Sequence, residues 1–183
     1  QLFDTDGRAA ALATSYDAAQ TALSCLDGCT PAEVALIEAL PARYPQRALI
    51  NDMHPWNHAF ADAMRAAFAK VPDHLDLRTI YAESLLNLTP WQMWDLKTGL
   101  PAEGAATLEA QKLLEDAMAQ TPAAMSHPGL LHLYVHLMEM SPTPEKALKA
   151  GDVLRTLVPD AGHLVHMPTH IDVLCGHYHN VMH

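Results

Sequence analysis

Long apolar runs are missing from this 183-residue chain. No stretch approaches the ~20 residues that span a bilayer, and no basic segment precedes a short apolar one, which argues against a membrane protein and a retained signal peptide. Basic charge is scarce as well. Eleven Lys and Arg against 21 Asp and Glu give a formal charge of −10, which speaks against a nucleic-acid backbone as partner. Three cysteines, an odd number, make no disulfide framework and predict a reducing, cytoplasmic setting. Nowhere do β-branched and polar residues alternate over six positions between turn signals, so no strand is expected. Glycine-rich phosphate loops and the G-x-S-x-G elbow are absent too. His132 and His136 have the spacing of the zinc-protease helix, but Leu133 stands where that motif needs its glutamate base, which excludes that chemistry.

What remains is helical. Half the residues are apolar, and 30 alanines stand against eight glycines and three phenylalanines. Residues 7–26 carry apolar side chains at helical spacing, with Gly28 as a stop. Thr30-Pro31-Ala32-Glu33 reads as a capping box opening a helix that Pro41 and Pro45 end. His54 and His58, with Pro55 between them, read as a capping segment for a helix over 57–71. Asp73 is expected to cap the next helix, to about Leu88, and a loop over 89–104 carries Trp91 and Trp94. Further helices are predicted over 104–120, 127–140, 144–157 and 162–175, with Gly176 as the final stop.

Each amphipathic unit is too short to bury its apolar face alone, so neighbours must stack. Prolines 31, 72, 122 and 159 mark successive helix pairs at steps of 41, 50 and 37 residues, the middle step holding the Trp91 loop as an insertion. A period in this range with paired helices predicts an all-α, right-handed solenoid of about four helix pairs, a single domain over 1–183. The chain begins at Gln1 without methionine and ends inside a helical pattern, so it reads as an excerpt of a longer protein, and open solenoid ends predict self-association.

The turn Gly176-His177-Tyr178 after Val158-Pro159-Asp160 looks like that of a tetratricopeptide repeat, as does Ala63-Met64 through Val71-Pro72-Asp73. Three stretches extend the likeness: Tyr81 to Leu88 with Pro90-Trp91, His127-Pro128-Gly129-Leu130-Leu131-His132-Leu133-Tyr134-Val135-His136 with Glu139, and Gly162-His163-Leu164-Val165-His166-Met167-Pro168-Thr169-His170. Together they resemble a family of bacterial and fungal tetratricopeptide-repeat proteins. The resemblance is strongest over residues 60–178 and implies the fold; it assigns no reaction.

Histidine is the compositional outlier. There are 12, nine of them after residue 126, and protonating all would move the charge from −10 to +2. If helices 31–43, 73–88, 127–140 and 162–175 line the concave face, His132, His136 and Glu139 fall within 60° on one helix, and His163, His166 and His170 form a second stripe on the next. Asp76, Thr79, Glu83 and Asn87 form a polar stripe on the preceding inner helix. Imidazoles at i and i+4 can share a divalent ion, and two such helices supply the ligands that zinc, copper or iron accept, with Glu139 or Glu83 ligating or holding a ring N–H. Pro168 predicts a kink beside these rings.

Two functions follow. In one, the concave face holds a transition metal through His132, His136, His163, His166, His170 and Glu139, and acts on a small polar substrate near Glu83, Asn87, Trp91 and Trp94 by a hydrolytic or oxidative reaction. Trp91 and Trp94 either anchor the inserted loop or cover that site. In the other, the protein is a scaffold binding a peptide or protein partner, and the histidines form a pH-sensitive network.

Overall fold

The computed structural model describes residues 5–182, all of whose regular structure is helical. The helices are α1 (Thr5–Leu23), α2 (Pro31–Arg43), α3 (His54–Lys70), α4 (Leu75–Leu86), α5 (Thr107–Gln120), α6 (Pro128–Met138), α7 (Leu148–Leu157), α8 (Gly162–His166), α9 (Pro168–Leu174) and α10 (Tyr178–Val181). Short 3-10 turns cover Pro122–Ser126 and Pro144–Ala147. None of the described helices is long and apolar enough to cross a membrane. The chain divides into two compact units, 1–77 and 78–183, with α4 running across the boundary.

In the first unit α2 packs on α1 and α3. Its buried residues are Ala32, Ala35 and Ala39, and α3 buries Ala61, Met64 and Ala67. Small side chains at this spacing let helix backbones approach closely. The capping box forms as expected: the Thr30 hydroxyl accepts from the Glu33 N–H at 3.3 Å, and Glu33 Oε2 accepts from the Thr30 N–H at 2.7 Å. Pro41 does not end α2; it sits in the last turn, where its missing N–H costs one hydrogen bond and the helix runs on to Arg43. His54 and His58 lie inside α3 rather than in a segment before it. Asp52 Oδ1 accepts the His54 N–H at 2.9 Å, and Pro55 falls in the first turn, where its lack of a donor is harmless. At the start of α4 the acceptor is His74 Nδ1, 3.5 Å from the Leu77 N–H, not the expected Asp73.

The second unit is built around α6. Leu130, Leu131, Tyr134, Val135, Leu137 and Met138 are all buried, leaving only a narrow face for His132, Leu133 and His136. Each fully buried Leu or Met contributes roughly 1.5–3 kcal/mol relative to exposure, so this helix dominates the core. His127 caps it through Nδ1, which accepts the Leu130 N–H at 3.0 Å. At the other end, the buried Trp94 indole N–H donates to the Leu137 carbonyl at 2.7 Å, satisfying one of the acceptors a helix C-terminus leaves open. The Tyr134 hydroxyl donates to Glu115 Oε1 at 2.9 Å; burial first, then this bond, push its pKa up.

Pro168 divides the helix expected over 162–175 into α8 and α9, with Met167 between them. Gly151 on α7 lets this corner close, since a Cβ there would lie 3.3 Å from Pro168 Cβ. Asp172 on α9 is 1% exposed and meets Arg155 of α7 at 2.6 Å, while Asn180 donates to its other oxygen at 3.2 Å. This ion pair ties α9, and with it His170, to the core.

Candidate metal centre

The two histidine stripes converge within the second unit. His132 and His136 project from α6, His163 and His166 from α8, and His170 from α9. His132 Nε2 and His163 Nε2 are 3.0 Å apart, and the His132 and His136 ring centroids 4.6 Å. One nitrogen from each of His132, His136 and His163 lies within 4.8 Å of the other two. A tetrahedral ion with ~2.0–2.1 Å bonds sets its ligand nitrogens roughly 3.3 Å apart, so small ring rotations would complete a three-nitrogen site. Half-burial of His132 and His136 holds two rings in place, and the exposed His163 has room to adjust.

Glu139 follows directly on α6, and its side chain is 7% exposed. His136 Nδ1 donates to its Oε1 at 3.1 Å and His170 Nδ1 donates to its Oε2 at 2.5 Å. Burial alone would raise its pKa; the two imidazole hydrogen bonds outweigh that and hold it below the usual carboxylate value. Each bond also sets a tautomer. With Nδ1 carrying the hydrogen, Nε2 is the atom left to His136 and His170 for an ion. His170 Nε2 in turn lies 3.0 Å from His166 Nε2. The six groups thus form one chain in the order His163, His132, His136, Glu139, His170, His166.

A cavity of about 230 Å³ opens on His132 and His136, with Glu83, Asn87, Pro90 and Trp91 around it. Trp91 stands edge-on to His136 at 5.8 Å between ring centroids. It is 64% exposed and has φ of +63°, the left-handed region that a bulky side chain rarely occupies. Its sequence gives no sign of this, because such backbone is ordinarily flagged by glycine.

Other expected site residues fall elsewhere. Trp94 does not line the cavity; it is buried and anchors the loop to α6. Of the polar stripe on α4, only Glu83 and Asn87 reach the cavity. Thr79 is buried beside α6, where a Cβ at Gly129 would lie 3.4 Å from its methyl group, and Asp76 belongs to the first unit. Sequence spacing also gave no hint that Glu139 separates a triad from a pair.

His132 is pushed down to about 4, first by burial and then by the His136 and His163 rings, with Glu139 pulling the other way. In the unfolded chain the same ring takes up its proton near pH ~6.5. Between those values the unfolded state holds more protons, so what this ring contributes to the stability of the metal-free protein is fully present above about pH 6.5 and is lost as the pH drops toward 4. At full strength the loss would be roughly 3 kcal/mol; solvent around the half-buried ring reduces it to on the order of 1–2 kcal/mol. Denaturant midpoints at pH 7 and 4.5 read this loss, and His132→Ala is expected to shrink it. An equal loss in that variant assigns the effect to other groups.

In comparison with known proteins, the chain matches no family model, no curated protein and no solved structure.

Proposed function

We propose that His132, His136 and His163 hold one divalent transition metal ion, with a fourth position open to the cavity beside Glu83, Asn87 and Trp91. The observation that carries this is the approach of three imidazole nitrogens to within 4.8 Å of one another. Three protein ligands and an open position are the pattern of zinc sites that activate water or polarise a bound carbonyl. The donor set suits zinc, copper or iron(II) rather than magnesium or calcium, which take oxygen. Glu139 serves as the carboxylate behind His136, orienting the ring and raising its basicity.

At about 230 Å³ the cavity suits a small molecule better than an extended peptide. That favours the metal reading over a peptide-binding scaffold. Within the first unit α1 packs on α2 and α2 on α3, and within the second α5 packs on α6 and α6 on α7, which supports a tetratricopeptide-like pairing of helices inside each unit.

The test is a zinc titration of tag-free, chelator-treated protein against a chromophoric competitor. The reading expects tight binding that depends on His136 and His163 and is indifferent to His58→Ala in the first unit. Binding no tighter than that of free imidazole would leave the three rings as a hydrogen-bonded network without an ion.

A further inference from the structure

Outside the triad, one cluster has the same chemistry and a cavity of its own. His166 ends α8 and His170 lies in α9, four residues apart across the Pro168 break. Their Nε2 atoms are 3.0 Å apart. They border a second cavity, of about 660 Å³, that also reaches Glu139, Ser141 and Thr169. Because Glu139 accepts the Nδ1 hydrogen of His170, the Nε2 atom of that ring presents its lone pair toward His166. A bare nitrogen is a metal ligand, and two imidazoles four residues apart form a chelating pair.

The geometry points to a second divalent-ion centre at His166 and His170, linked to the triad by Glu139. Glu139 uses one oxygen for each side: Oε1 holds the triad ring His136 and Oε2 holds the pair ring His170. A single buried carboxylate therefore orients one ligand of each centre. The pair supplies two nitrogens, and water from the open cavity completes the coordination, so zinc or copper(II) bound here is more weakly held and more exchangeable than at the triad. The larger cavity makes this the centre with space for an organic ligand beside the ion. The second centre stands on its own geometry; only its coupling to the first rests on the triad reading.

The experiment counts zinc ions and measures both affinities in the tag-free chain and in His132→Ala, His166→Ala and Glu139→Gln. His166 is exposed, and glutamine matches glutamate in shape, so both of those variants are suited to folding. Two ions are expected in the unaltered chain and one in each histidine variant. Glu139→Gln is expected to weaken both classes of site by ten- to a hundredfold, since it acts on the carboxylate behind a ligand of each. If His166→Ala keeps the full count and both affinities, the second centre is overturned. If His132→Ala keeps the full count while His166→Ala loses one ion, the triad reading fails and the second centre stands. A Glu139→Gln effect confined to one class of site overturns the coupling.

Discussion

His132→Ala is expected to weaken zinc binding at the triad at least a hundredfold and to abolish the thermal stabilisation that this ion confers. His132 is the middle ring of the triad, in contact with both His163 and His136. Zinc held by four protein ligands gains about 10–16 kcal/mol, so one ligand accounts for roughly 3 kcal/mol, or two decades in affinity. Zinc at a hundred times its dissociation constant stabilises the folded state by about 2.7 kcal/mol. For a chain of this size that corresponds to roughly 5–10 °C in melting temperature. The variant removes a half-buried ring from the edge of a cavity, so its metal-free fold is expected to survive. Melting curves with and without zinc, at pH 7, read the difference directly. An undiminished zinc-induced shift in His132→Ala places the stabilising ion elsewhere in the protein.

The second large effect is on the fold that carries the site. Asp172→Ala is expected to cost about 1.5–3 kcal/mol in the second unit, because it removes a charge-assisted hydrogen bond from the partly buried Arg155. Arg155, 24% exposed, would be left without the carboxylate that it meets at 2.6 Å, and Asn180 would lose its acceptor. Neither has a second carboxylate at comparable distance; Arg155 lies 3.8 Å from the more exposed Asp152. The loss should be visible in urea unfolding followed by tryptophan fluorescence in a Trp56→Phe background, which leaves Trp91 and Trp94 of the second unit as reporters. Replacing both partners by apolar residues, Arg155→Met with Asp172→Leu, is expected to recover much of the stability. A single-variant loss below ~1 kcal/mol would mean that water reaches the pair and that α9 is held by packing alone.

Much of the helix pattern was legible because the relevant forces are local. The Thr30–Glu33 capping box needs only four consecutive residues, and Gly176 follows the end of α9 with the positive φ that favours glycine; Gly28 has positive φ too, but α1 already ends at Leu23, short of the expected residue 26. Pro168 interrupts its helix because a proline ring collides with the carbonyl four residues back wherever it falls in mid-helix. The helix boundaries that differ from the sequence pattern share one cause. Pro41, Pro55 and Asp73 are signals whose effect depends on distance from a helix end, and a side chain two or three residues away can supply the cap instead, as Asp52 and His74 do.

At the site, the 3.6-residue period of a helix by itself puts His132, His136 and Glu139 on one face. The sequence by itself determined which residue types were available, the helices they ride on, and the shortage of every other catalytic motif. Only the tertiary structure decided that Glu139 would stand between His136 and His170, that the five rings would separate into a triad and a pair, and that Trp91 rather than Trp94 would face the cavity. Those outcomes depend on the angle at which α8 and α9 meet α6, and that angle comes from packing across the buried core and from the Arg155–Asp172 pair, between residues too distant along the chain for any local pattern to record.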